Sequence, residues 1–359
     1  MTRYVTLRKY AQRDGSVSLV WAPVSHFLPQ GQGGLLRWLP HGVRLRAFVL
    51  AQTAPVLNRL DELDAVMVHL FEADILLSLR RCVKSWPVLF SSTDEAPMVD
   101  RANYPLYPSD LHKPVWRQKL RLAIDMWRVR HTDYFVPFSV WAGNILKDLC
   151  GAPRDNVHPI HVGLDLELWP SVPRAPFVPN ARRIKLLFVG GDFVRKGGEL
   201  LLNVHARRFS ETAELHLVSP QAPHDLPPHV HVYRDFHPND GRLRKLYAAC
   251  DVLVIPTTAD TGPLWVYMEA MASGMPIIGT DTGSNAKLVR HNDTGLIVPI
   301  GNADALGDAV EMLLDDPALR VQMGRNGRAL VEASYSAEVN VPRILQLMKD
   351  AVDARKPIR

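Results

Sequence analysis

The apolar positions in the second half of the chain fall into short runs, each followed by a stretch of helical period. Ile184–Val189 (IKLLFV) is apolar but for Lys185 and ends at Gly190-Gly191. That length and those bounds predict a buried parallel strand. Gly198–Ala206 reads as a helix, Ala213–Val218 and His229–Tyr233 as strands, and Asn239–Ala249 as a helix. Asp251–Pro256 is a strand, Leu264–Ser273 a helix and Pro276–Thr280 a strand; Ala303–Asp315, Pro317–Ala333 and Asn340–Ala354 are helical. Strands alternating with helices in this way predict a doubly wound parallel sheet.

The first half is patterned less regularly. Arg44–Leu50, Ala65–Leu70, Val88–Ser92 and Tyr134–Pro137 predict short buried strands. Glu72–Val83, Lys113–Arg130 and Trp141–Leu149 predict helices, which makes a second α/β unit. The opening forty residues show no clear strand-turn-helix order. Between the halves, Trp169–Asn180 carries four prolines in twelve residues, which forbids a helix interior or a central strand and marks an extended linker. The expected division is a Rossmann-like domain over 1–168, a linker over 169–182, a second Rossmann-like domain over 183–339, and a final helix over 340–359. Two such units place a cleft between two sets of strand C-terminal ends, where open α/β sheets bind ligands.

Composition narrows the class. A length of 359 residues suits two domains, and 47% hydrophobic with 22% charged residues excludes a disordered or fibrous chain. The net charge of +5 is too small for a dedicated nucleic-acid binder, so no nucleic-acid partner is expected. No apolar run reaches about 18 residues, and the first residues lack the apolar centre of a secretory signal. Cys82, Cys150 and Cys250 are far apart and odd in number, which argues against a disulfide framework and for a reducing cytoplasm.

Two segments carry candidate chemistry. In the first, a strand feeds Gly190-Gly191-Asp-Phe-Val-Arg195-Lys196-Gly197-Gly198 and then a helix. Such a turn lets backbone N–H groups approach an anion, and Arg195 and Lys196 supply cations suited to phosphate oxygens. The plain alternative is a glycine-rich connection with solvated basic residues. In the second, the strand ending at Pro256 leads through Asp260, Thr261, Gly262, Pro263 and Leu264 to Trp265 and a short helix that stops at Gly274. Glu269 lies in that otherwise apolar helix. A carboxylate there either accepts hydrogen bonds, for example from a ribose diol, or sits on the exposed side.

Together these segments resemble the donor-nucleotide domain of glycosyltransferase family 4, retaining enzymes of the GT-B fold. Phe188-Val-Gly-Gly-Asp-Phe-Val-Arg-Lys-Gly resembles the family's glycine turn and diphosphate-binding lysine, Glu269-Ala-Met-Ala-Ser-Gly-Met-Pro-Ile-Ile-Gly-Thr its E-A-M-A sequence, and Asp293-Thr-Gly-Leu-Ile-Val-Pro a later strand. Tyr134–Trp141 and Val162–Asp165 resemble the end of its first domain. The likeness covers about residues 130–345.

The resemblance implies a retaining transferase that moves a hexose-type sugar from a nucleotide-diphosphate donor, with UDP- or GDP-sugars foremost, to a glycan, lipid-linked or small-molecule acceptor. Polysaccharide biosynthesis is the implied setting. Neither a resident cofactor nor a metal is implied. Lys196 would bind the diphosphate and Glu269 the ribose. Gly190, Gly191, Arg195 and the segment Thr261–Trp265 would meet the diphosphate and sugar. Asp94, after the strand at Val88–Ser92, would orient the sugar or the acceptor hydroxyl; turn capping is its alternative role.

Several positions depart from the family pattern. The first of its paired glutamates falls on Thr261, with Asp260 adjacent, and the usual glutamate after the G-G turn at Gly283-Ser284 falls on Lys287. Trp265 and Tyr267 replace smaller aliphatics, and these changes are expected around the donor sugar. They leave a second reading open, a degenerate sugar-nucleotide-binding protein without transfer.

His158/His161 and His229/His231 are closely spaced pairs with no third ligand nearby in sequence, so structural or solvated histidines are expected. The stretch 113–130 holds six Lys/Arg against one Asp, with Trp116, Leu120, Ile124 and Trp127 at helical spacing. That stripe is either the core face of its own domain or a basic amphipathic surface for an anionic membrane. A cytoplasmic protein, peripheral at the inner membrane face on the second reading, is the expectation.

Overall fold

The computed structural model describes residues 2–21, 52–69, 77, 85–93, 114–170, 183–237, 240–260 and 265–355. The expected strand at Arg44–Leu50, the expected helix at Glu72–Val83 apart from Leu77, and the candidate residues Asp94 and Thr261–Leu264 lie outside the described residues.

Among the described residues of the first half, β1 (Ala65–His69), β2 (Val88–Thr93) and β3 (Tyr134–Pro137) form a parallel sheet in the order β1-β2-β3. Helices Val115–His131 and Val140–Asp148 flank β3. The second begins at Ser139, whose Oγ accepts the Ala142 N–H at 3.1 Å, an ordinary N-terminal cap.

The second half is a six-stranded sheet, all parallel: β4 (Ile184–Val189), β5 (Ala213–Val218), β6 (Val230–Tyr233), β7 (Val252–Ile255), β8 (Ile277–Thr280) and β9 (Gly295–Val298). Their order is β6-β5-β4-β7-β8-β9. The chain starts at the centre, winds outward to β6, then returns to lay β7 against the other side of β4. That reversal makes the crevice between β4 and β7 the switch point where doubly wound sheets bind ligands. The central strands are buried on both faces, which is why they read as apolar runs.

The first residues differ from the sequence reading, which finds no clear element there: Thr2–Asp14 is a helix. It is weakly amphipathic and owes its order to tertiary contact. Its Ala11 is buried in one cluster with Val88, Phe90 and Val136 of β2 and β3 and with Val341, Ile344 and Leu345 of the last helix, Ala337–Arg355. The last helix thus packs on the first sheet. The chain makes its passage there at Gly163, where the Leu164 N–H donates to Tyr335 O at 2.7 Å and the Ala337 N–H to Leu164 O at 2.9 Å. Gly163 has φ +89°, and a Cβ on it would lie 2.4 Å from the Ser336 carbonyl carbon, so only glycine fits. Asp165, next to this passage, is buried and engaged by Lys9 and by the Tyr10 hydroxyl at 3.1 Å, so Asp165-Leu-Glu167 is a turn that anchors the first helix.

The helix Val115–His131 turns its tryptophans outward. Its buried positions are Asp125, Arg128 and Val129, with Arg128 Nη1 donating to Asp125 Oδ1 at 2.7 Å. Trp116, Leu120 and Trp127 are exposed among the described residues. The tryptophan stripe is therefore not the face that packs on this part of the core.

Candidate functional site

Lys196 and Glu269 lie on the segments that follow the two strands of the switch point. Lys196 ends the turn after β4, and Glu269 lies in the helix Trp265–Ala272 after β7. The turn is built on two glycines. Gly197 has φ +79°, and a Cβ on it would sit 2.1 Å from Pro256 O; one on Gly198 would strike the Phe193 ring. These glycines let the turn after β4 lie directly against the loop after β7.

The contact between the two loops is polar and mostly buried. Lys196 Nζ donates to both oxygens of Asp260, at 2.9 and 2.8 Å. Arg195 Nη1 donates to Asp260 Oδ1 at 3.2 Å and to Ala259 O at 2.7 Å, and its Nε to Asp192 Oδ2 at 3.0 Å. Thr257 Oγ1 adds a fourth hydrogen bond to Asp260, at 2.7 Å, and the Thr258 N–H donates to Arg195 O. Burial draws the Lys196 ammonium below its ordinary range, while the facing Asp260 carboxylate opposes that shift. Two cations thus converge on one carboxylate at the head of the crevice.

Several of the turn's amides are engaged inside the protein. The Gly190 N–H donates to Val218 O, those of Lys196, Gly197 and Gly198 to Asp192, Val194 and Phe193 carbonyls, and that of Arg195 to Asp192 Oδ1. They hold the turn's shape. Lys196 and Arg195 bring their cationic ends together at Asp260, and Arg195 also ties the two loops through Ala259 O and Asp192. Gly191 is exposed with open space around it.

Glu269 has a partner that sequence reasoning misses. The hydroxyl of Tyr247, fully buried in the helix Gly241–Ala249, donates to Glu269 Oε2 at 3.0 Å. Desolvation nevertheless pushes the Glu269 carboxyl up to about 7, against the lowering effects of the Tyr247 hydrogen bond and of Arg244. Tyr247 falls in the apolar period of its helix, so its position reads as core. Its ring does pack in the core, edge-on to Trp169.

Tyr267 corrects the expectation that both aromatic departures surround the donor sugar. It is fully buried, donates its hydroxyl to Ile255 O at 3.1 Å and lies over Gly279, where a Cβ would come within 2.4 Å of that hydroxyl. Its bulk is matched by a missing side chain on β8. Trp265 stacks at a tilt on His161, ring centroids 5.0 Å apart, and so meets the segment that leads out of the first sheet. Lys287 is exposed, and Gly283 takes φ +54° in the turn after β8.

Residues 174–330 match the family described as glycosyl transferases group 1. This segment is a group 1 glycosyltransferase domain. Relatives by sequence include a GDP-mannose-dependent monoacylated alpha-(1-6)-phosphatidylinositol monomannoside mannosyltransferase of Corynebacterium glutamicum, 36% identical over 108 residues, which are 28% of either chain. A D-inositol 3-phosphate glycosyltransferase of Pseudarthrobacter chlorophenolicus is 42% identical over 83 residues, 23% of this chain and 20% of that one. These matches span less than a third of the relatives' own length.

The fold likeness extends further than the sequence likeness. Sucrose-phosphate synthase of Thermosynechococcus elongatus superposes with a TM-score of 0.70 at 22% identity, covering 90% of this chain and 82% of that one. WaaG, a glycosyltransferase involved in lipopolysaccharide biosynthesis, gives 0.62 at 14% identity over 99% and 95%. HepE of Anabaena in complex with UDP gives 0.66 at 16% over 84% and 82%. The fold is GT-B, with the group 1 domain forming its second half.

Proposed function

We propose that the protein transfers a hexose-type sugar, with retention, from a nucleotide-diphosphate donor to a glycan, lipid-linked or small-molecule acceptor. The observation that carries this reading is the convergence of Lys196 and Arg195 on a single carboxylate at the switch point, across the crevice from the helix of Glu269. A place that gathers two cations about one anion suits the oxygens of a diphosphate. The relatives' names support a UDP or GDP donor: one is a GDP-mannose-dependent enzyme, and one neighbouring structure holds UDP.

In this reading the bond between the sugar's anomeric carbon and the diphosphate oxygen breaks, and negative charge grows on the leaving group. Lys196, with Arg195 behind it, stabilises that charge more in the transition state than in the ground state. The acceptor oxygen bonds to the anomeric carbon on the same face, and its proton passes to the departing diphosphate. No separate base is required, and the diphosphate charge is met by side chains rather than by a metal. Glu269, held by Tyr247, accepts the ribose hydroxyls. Peripheral contact with an anionic membrane through the outward tryptophans and basic residues of Val115–His131 is part of the same proposal.

The test is a calorimetric screen of the folded chain with UDP, GDP and ADP and their sugars, first without metal and then with magnesium. Metal-free binding of one diphosphate, with slow hydrolysis of its sugar, is the expected result. Failure of every nucleotide to bind overturns the reading. Binding with no turnover, in the presence of glycan and lipid-linked acceptors, favours the alternative of a degenerate sugar-nucleotide binder.

A further inference from the structure

A second constellation lies away from the switch point, on the edge of the large sheet. The parallel register of β5 and β6 sets His216 opposite His231, and the two rings stack with centroids 4.9 Å apart. Glu214 is two residues before His216 and so on the same face of β5. Spacing along the chain pairs His231 only with His229; the other two groups of the constellation, Glu214 and His216, come from the neighbouring strand, which is why the sequence shows no ligand set.

The three side chains are already gathered. Their ligand atoms all lie within 4.8 Å of one another. His216 is 94% buried, being 6% exposed. Its Nδ1 is held by the Tyr233 hydroxyl at 3.0 Å, while its Nε2 makes no hydrogen bond and faces Glu214 Oε2 at 3.4 Å. In the tautomer whose Nδ1–H donates to the Tyr233 hydroxyl, Nε2 turns a lone pair toward the Glu214 carboxylate, and a cation between them satisfies both.

We propose that Glu214, His216 and His231 form a binding site for a transition-metal dication of the zinc class. Two imidazoles and one carboxylate suit zinc and its borderline neighbours rather than magnesium or calcium, which take oxygen ligands. Donors about 2.0–2.1 Å from a tetrahedral ion lie about 3.4 Å apart. Glu214 and His216 have that separation, so His231 alone must turn. It is exposed on the outermost strand, which leaves it free to do so and opens the ion's path of entry. Tyr233 supplies the outer hydrogen bond that fixes the tautomer of His216. The Lys185 ammonium, 3.6 Å from Glu214 Oε2, is the cation that the ion displaces.

The site is independent of sugar transfer, and its test does not use activity. The full chain, stripped of metal with a chelator, is titrated with Zn²⁺ by calorimetry and followed by thermal unfolding. Wild type is expected to take up one tight equivalent with a rise in Tm. His231→Ala, at an exposed position, and Glu214→Gln are each expected to weaken that equivalent tenfold or more. His224→Ala, at an exposed histidine elsewhere, is expected to leave it unchanged. No tight equivalent in wild type overturns the proposal. So does an affinity unchanged in both variants, which means zinc held by other histidines, and so does a loss in only one of the two.

Discussion

The Tyr247 hydroxyl and the Glu269 carboxylate meet at 3.0 Å from two different helices, one before β7 and one after it. The pair fixes the orientation of a carboxyl that burial holds at about 7, against an ordinary value of 4.5. A group poised there changes charge in the range where binding is measured.

A ribose diol donates hydrogen bonds, so it favours the ionised carboxylate. Nucleotide affinity is therefore expected to rise as pH increases through about 7 and to level off above it. A 2′,3′-dideoxy nucleotide controls for the diphosphate's own ionisation and should lack this rise, as should Glu269→Gln. Removing the hydroxyl in Tyr247→Phe should move the midpoint to higher pH. Calorimetric titration between pH 6 and pH 8.5 checks all three.

The same shift acts on stability with the opposite sign. Between 4.5 and about 7 the folded protein holds a proton on Glu269 that the unfolded chain has released. Stability should thus fall as pH rises through that window, by up to about 3 kcal/mol, and stay level beyond it. Denaturant unfolding of wild type and Glu269→Gln at matched pH isolates the contribution. A slope that persists unchanged in the variant would assign it to other groups.

Lys196 and Asp260 give predictions of opposite direction. Lys196→Ala should cost diphosphate binding about 2 kcal/mol, roughly thirtyfold, while the nucleoside without phosphates loses nothing. Asp260→Asn removes the carboxylate that a diphosphate must displace or share. Diphosphate affinity should then increase about fivefold, the equivalent of ~1 kcal/mol, at some expense of fold stability because two cations lose their buried partner. Paired calorimetry and unfolding measurements distinguish a competitor from a group that positions Lys196.

The second domain is largely legible in the sequence because its strands are buried on both faces and its turns are marked by glycine. Ile184–Val189 and Ala213–Val218 are strands with the bounds their patterns imply, and Pro317 opens its helix as expected. What stays hidden is whatever depends on strand register or on a distant partner. Tyr247 reads as core, and His216 with His231 do not read as a pair. The first helix is invisible for a related reason: its partner, Ala337–Arg355, lies more than 300 residues away. The tryptophan stripe has the right period for either a core face or a surface, and only the burial of Arg128 and Asp125 on the other side decides between them.

Gly197→Ala tests the tie between the two loops. The new methyl group would face Pro256 O at 2.1 Å from a backbone at φ +79°, so strain and clash combine. A loss of about 3 kcal/mol in denaturant unfolding is expected. Gly191→Ala, with open space around it, should cost less than ~1 kcal/mol by the same measurement.

The outward face of Val115–His131 makes the membrane proposal measurable. Trp116 is 61% exposed and Trp127 39%, and Arg117 and Lys119 are exposed beside them. Each basic residue near an anionic surface contributes about 1 kcal/mol. Replacing Arg117, Lys119 and Arg121 with Gln should therefore lower sedimentation with phosphatidylserine vesicles by at least tenfold. Raised salt should weaken the wild type in the same direction. Replacing Trp116 with Ala should weaken binding to anionic vesicles even at high salt, because it removes the apolar contribution. If wild type does not sediment with such vesicles at low salt, the stripe has no role at a membrane.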